Sequence, residues 1–202
     1  MELLQKLTLY DLLGYTVPGS VLLILWKQED LQQLLDAGAG GVALLVVVGF
    51  LVGIMISEIM SWIEKIFGKL FAKKQWEKIC KKYVLREEQI RNALRNAGII
   101  PDGTGEGTVM SCLRYCTAMY ADIQADSRYS RIHNYASAAL LYRNMVFVAV
   151  FCIIVAIITT LNEEIVLGIV GVICFGMRWW RFNGKKIGYA VSWFIEKHVN
   201  NM

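Results

Sequence analysis

A chain of 202 residues that is 56% hydrophobic and 19% charged, with mean hydropathy +0.45, carries more apolar surface than a soluble fold of that size can hide. That excludes an ordinary soluble domain and points to lipid as part of the solvent. Two prolines leave helices free to run long, and the net charge of +4 matters chiefly through its distribution.

In chain order, four runs are free of charge: Leu12–Trp26, Ala37–Ser57, Asn144–Asn162 and Ile165–Met177. A helix perpendicular to a bilayer needs about 20 apolar residues at about 1.5 Å each. The second and third runs meet that directly. The first is short and draws on Leu7, Leu9 and Tyr10. The fourth gains Trp179 and Trp180 for the lipid–water boundary, followed by Arg181 and Lys185. Asn162, Glu163 and Glu164 alone separate the last two runs, which predicts a tight helical hairpin, with a re-entrant half-helix as the alternative. Glu2, Lys6 and Asp11 are not the positive start of a cleaved signal peptide. The expected fold is an all-α integral membrane protein of two transmembrane hairpins, four spans in all, with a central cytoplasmic helical segment. Its parts are 1–57, 58–143, 144–181 and a cytoplasmic amphipathic tail, 182–202.

Charge then sets orientation. The connector 27–36 and the pair Glu163–Glu164 each carry −2. The segment 58–143 holds fourteen Lys/Arg against nine Asp/Glu, and 178–202 holds five against one. The positive-inside rule places both ends in the cytoplasm of a bacterium, with two acidic loops outside its inner membrane.

Within 58–143, Ile59, Trp62, Ile63, Ile66, Phe67, Leu70 and Phe71 recur at helical steps and continue the second run without a breaker. The basic face that follows, with Lys73, Lys74, Lys78 and Lys81, is a solvated surface with topogenic charge or a site for anionic lipid or RNA. "REEQIRNALRNAG" predicts a helix with stripe Ile90, Leu94 and Ala97, an ion pair Glu87–Arg91, and a stop at Gly98. The loop "IIPDGTGEGT" lacks the preceding strand and the Lys-Ser/Thr pair of a phosphate cradle. A third helix is expected from Thr108 to about Ala125, with Met110, Leu113, Tyr120 and Ile123 inward. Asp126 or Ser127 then caps a helix that runs into the third apolar run. Cys112-x3-Cys116 lacks a second liganding pair, so neither metal nor cofactor is expected.

Gly49, Gly53 and Ser57 share one helix face at four-residue steps and suit close helix approach, either between subunits as an oligomer contact or inside one subunit. Asp11 is a charge at the mouth of the first span. Pro18 is expected to kink that span and free a carbonyl that a neighbour or water must satisfy.

"RYSRIH" places Arg128 and His133 at the R-x4-H spacing of HEPN ribonucleases. That resemblance implies His133 as the proton-transfer group and Arg128 as the group steadying phosphate charge, usually with a second copy from a dimer partner. On a regular helix the two lie about 140° apart. Tyr129 replaces the usual small polar residue, which favours an architectural role. With its paired apolar hairpins and basic helical middle, the chain resembles the small accessory membrane proteins of type VI-B CRISPR systems. More broadly it is similar to bacterial anti-phage effectors with four spans, in "YDLLGYTVPG" and "RWWRFNGKKIGYAVSWF" as well. The resemblance implies a non-enzymatic homo-oligomeric ring, pore-like, coupled to an RNA-guided ribonuclease, that lowers membrane potential and slows metabolism. The alternatives are a membrane-tethered ribonuclease using Arg128 and His133, and a scaffold whose lysine face recruits a partner or RNA.

Overall fold

A computed structural model describes residues 9–26, 38–99, 119–123 and 129–199; the side chains at 9–11, 67–74, 87, 129 and 162 fall outside that description. All regular structure among the described residues is helical: α1 (Leu9–Trp26), α2 (Ala39–Tyr83), α3 (Glu87–Asn96), α4 (Tyr129–Thr159) and α5 (Asn162–Val199), with one more helical turn at 119–123. Three stretches are long and apolar enough to cross a bilayer, Ala39–Ile66, Ser130–Thr159 and Glu163–Val199. The apolar part of α1, Leu12–Trp26, is shorter.

With no proline inside it, α2 runs 45 residues, about 68 Å, so the second apolar run and the lysine-bearing segment form one helix. Likewise α4 passes from Tyr129 through His133 into the third run unbroken. The fourth run is no half-helix but the first part of α5, which is 38 residues long. Glu163 and Glu164, expected in the connector, form the first turn of α5, where acidic groups complement the helix dipole.

Three helices close alike. A residue with left-handed backbone follows the last turn, and the next amide donates five residues back: Leu85 to Cys80 O at 2.9 Å, Ile99 to Leu94 O at 3.0 Å, Leu161 to Ala156 O at 3.0 Å. Only the middle one uses glycine, Gly98 at φ 68°; the others use Val84 at φ 54° and Thr160 at φ 59°. A β-branched residue there is strained by about 1–2 kcal/mol. No atom lies within 4 Å of a Cβ built on Gly98, so Gly98→Ala meets only backbone strain. It should lose about 1 kcal/mol of unfolding free energy, while Thr160→Gly should gain a similar amount. Denaturant unfolding of the two variants checks both signs.

The chain divides into two units, Met1–Glu64 with Ala136–Phe182, and Lys65–Tyr135 with Asn183–Met202. The second has the core of a soluble helical domain. Trp76 and Ile79 of α2, Ile90, Ala93 and Leu94 of α3, Met119 and Ile123, Ile132 of α4, and Val191 and Phe194 of α5 bury one another. The first has a small interior, Ile56, Met60 and Val148 with Val21, Leu22 and Phe147 around them. Its outer surface is aliphatic, from Val42 to Ile63 on α2, Val150 to Ile158 on α4, and Val166 to Met177 on α5. Among the described large hydrophobic side chains that stand exposed, only Ile66 and Val84 belong to the second unit. One unit thus hides its apolar groups as water demands, and the other displays them as lipid permits. The stripe Ile59, Trp62, Ile63, Ile66 faces outward and continues that aliphatic surface.

Candidate functional site

The described residues divide the sequence-derived candidates unevenly. Arg128 lies outside them, as do the loop 101–107, Cys112 and Cys116, the connector 27–36, the caps Asp126 and Ser127, and the side chains of Asp11, Lys73, Lys74, Glu87 and Tyr129. His133 is half-buried in the second turn of α4. Lys78 and Lys81 are exposed on α2, on the side opposite buried Trp76 and Ile79. That alternation is what an amphipathic helix resting on a core produces.

Of the stripe Gly49, Gly53, Ser57, the two glycines are occupied by α1 of the same chain, while Ser57 is held by Arg143 of α4. A Cβ on Gly19 would overlap the Gly49 carbonyl and the Gly53 amide, and one on Gly53 would overlap the Tyr15 carbonyl. Backbone therefore rests on backbone, which only glycine at the crossing allows. Tyr15 adds an edge-to-face contact with Phe50, centroids 5.9 Å apart. This close crossing gives the short α1 a partner along its length.

Beyond the glycines the same face of α2 becomes polar. Ser57 is buried, and Glu64 lies two turns further on. Arg143 of α4 gathers both: Nη1 donates to Glu64 Oε2 at 3.0 Å, and Nη2 donates to Ser57 Oγ at 2.7 Å and Ser57 O at 3.2 Å. The Arg143 side chain is 14% exposed. A cation this enclosed in an apolar unit requires such partners, because an unpaired charge there is costly. Its planar fork spreads these three bonds over two nitrogens, whereas a lysine would have to make them from a single point.

Asn144, the next residue, is fully buried and turns toward α1. Its Nδ2 donates to the Gly14 carbonyl at 3.1 Å. Pro18 stands four residues after Gly14 inside α1 and has no amide hydrogen, so that carbonyl has no donor in its own helix. The carbonyl expected to be freed by Pro18 is thus satisfied by a neighbouring helix rather than left bare. Among the described residues, Asn144 Oδ1 and the hydroxyl of buried Thr16 have no hydrogen-bond partner. Sequence reading took Arg143 and Asn144 as the edge of an apolar run. The adjacency of a cation and an amide at that edge was the available signal.

The second unit has its own polar cluster at the end of α5. Lys197 Nζ donates to Asp122 O and Oδ2, both at 2.9 Å, and His198 Nε2 lies 2.8 Å from the same Oδ2. An ionised carboxylate only accepts, so Nε2 carries the proton. Asn96 Nδ2 of α3 holds the His198 carbonyl at 2.9 Å. Partial burial opposes ionisation of Asp122, but hydrogen bonds from His198 and Lys197, and their charges, outweigh it and hold the carboxyl below its usual value. A depressed acid contributes stability above its unfolded pKa and loses it as pH falls through the folded one. The loss falls below about pH 4. Asp122→Asn should therefore flatten the acid limb of stability against pH, read by urea unfolding of the whole chain between about pH 5 and pH 2.

Nearby in that unit Tyr83, Tyr135 and Tyr189 form an aromatic group, with Tyr135 and Tyr189 stacked at 5.5 Å and Tyr83 edge-on to Tyr189 at 5.5 Å. Lys185 lies 5.1 Å from the Tyr135 ring centre. Burial, then Tyr189 and Tyr135, push the Tyr83 phenol up, so it stays protonated.

Comparison with protein-family models, with curated proteins and with solved structures returns no match. The fold itself defines a class: among the described residues it is all-helical, with three helices long and apolar enough to cross a membrane, together with a helical unit that has its own buried core. The polar row of buried Ser57 and Asn144 with partly buried Arg143 and half-exposed Glu64 is a feature of the apolar unit that packing alone does not require.

Proposed function

We propose that the protein is a self-assembling, four-span effector of a bacterial inner membrane that forms a pore-like ring, depolarises the cell and slows its metabolism. It acts beside an RNA-guided ribonuclease in anti-phage defence. The observation that carries the assembly is how little of the apolar surface one chain covers. In the most apolar windows of the three long stretches, 22%, 22% and 6% is buried. Most of the apolar first part of α5 is therefore left for lipid or for further copies. The polar row on α2 and α4 supports a path for ions, since ionisable groups in apolar helices are retained where a conduit or a partner needs them.

Four spans are supported by α1, which is about 27 Å long and seated on the α2 glycines. Both ends inside is supported by the acidic connectors and the basic remainder of the chain. The defence setting rests on the resemblance to type VI-B accessory membrane proteins.

Light scattering of the protein in detergent should give one defined homo-oligomer, and a potential-sensitive dye should report depolarisation of infected cells that express it. A strictly monomeric particle, or infected cells that keep their potential, would count against the reading. His133→Ala should leave depolarisation intact; its loss, with the oligomer unchanged, would favour RNA cleavage by Arg128 and His133.

A further inference from the structure

The apolar unit carries a half-open cavity of about 520 Å³ between α1, α4 and α5, with Glu164 exposed at its rim. Val21 and Leu25 close it from α1, the turns from Met145 to Val155 from α4, and those from Glu164 to Phe175 from α5. That stretch of α5 makes the cavity about 16 Å long, and its volume is within the range that small-molecule sites occupy. Its lining is aliphatic, aromatic, glycine and thiol throughout, with one exception. Glu164 is the single charged residue, and it stands at one end, in the first turn of α5.

We infer that this cavity binds a single-chain amphiphile with a cationic head, the head at Glu164 and the chain lying along α5 toward Phe175. Length and apolarity call for a hydrocarbon chain. The lone carboxylate at one end selects the head by sign. Phosphate or carboxylate heads meet like charge there, from Glu164 and from Glu163 beside it, and among the described residues no lysine, arginine or histidine lines the wall. An acyl tail of bulk lipid satisfies the lining but brings no counter-charge to Glu164. A helix of a second copy would have to bring a cation to the same point. The inference needs α1, α4 and α5 to pack as described and is independent of pore formation.

Cys152 and Cys174 are in the cavity wall, and Cys80, outside any disulfide, lies in the other unit, so alkylation reports occupancy at known places. The full chain in zwitterionic nanodiscs is treated with N-ethylmaleimide and each cysteine is followed by mass spectrometry. The probes are dodecyltrimethylammonium, dodecanoate and butyltrimethylammonium. Dodecyltrimethylammonium should slow modification of Cys152 and Cys174 by about fivefold, with Cys80 unaffected, while the other two protect little. Glu164→Gln should erase the preference for the cationic head. Glu163→Gln, a neighbour outside the lining, should keep it. Equal protection by both twelve-carbon probes would reveal an indifferent hydrocarbon slot and overturn the inference. So would protection by neither, or a preference that survives Glu164→Gln.

Discussion

Gly53→Ala is expected to destabilise the apolar unit by about 1–3 kcal/mol, toward the upper end of what overpacking costs. The added methyl would meet the Tyr15 carbonyl, and backbone cannot move aside by changing rotamer. Relief requires α1 to separate from α2, which also removes the Gly19 contact and the Tyr15–Phe50 pair. Gly40→Ala is the matched comparison, since a Cβ there has no atom within 4 Å and the helix gains a better helix former. Reversible unfolding in mixed micelles should show a clear loss for the first variant and none for the second. Equal behaviour of the two would mean that α1 does not dock on these glycines.

The second large effect is a coupling rather than a single loss. In the parent, Asn144 Nδ2 supplies the donor that Pro18 denies to the Gly14 carbonyl. Asn144→Leu strands that carbonyl in an apolar setting, although it also removes an Oδ1 that had no partner. Pro18→Ala restores an amide four residues after Gly14 and supplies the missing bond within α1. Asn144→Leu should therefore cost about 1–2 kcal/mol alone and markedly less in the Pro18→Ala background, because hydrogen bonds of this kind in bilayers are worth about 0.6–1.7 kcal/mol. A double-mutant cycle measured by the same unfolding assay yields the coupling. Strict additivity would show that the two residues do not share the carbonyl.

Much of the architecture was legible because it depends on local rules. Unbroken apolar and amphipathic periodicity, without proline, foretold that the second run would continue past Ser57 and that RYSRIH would lead into the third run. Gly98 marked a helix stop because left-handed backbone favours glycine. Val84 and Thr160 perform the same duty without a visible mark, since neither is a residue that usually does so. The tail was read as amphipathic, and Ile187, Ala190, Val191, Phe194 and Ile195 do share a face. Which core that face would enter was not written in the helix itself.

The candidate site was less legible. Arg143 and Glu64 are 79 positions apart, and Asn144 and Gly14 are 130 apart, so no local pattern pairs them. In the sequence Arg143 is only the charge that precedes an apolar run. The glycines at 49 and 53 announced a close approach but not what would approach.

Composition and periodicity, by themselves, pointed to a helical protein with four apolar runs, three of them within helices long and apolar enough to cross a membrane, and showed where its charges concentrate. Those properties sum over neighbouring residues and need no knowledge of what lies across the fold. Only tertiary structure decided that α1 fills the α2 glycine groove, that Asn144 serves the carbonyl left open by Pro18, and that Arg143 binds Ser57 and Glu64. Each of these depends on which helix faces come together, and hydrogen-bond geometry and steric exclusion act across space rather than along the chain.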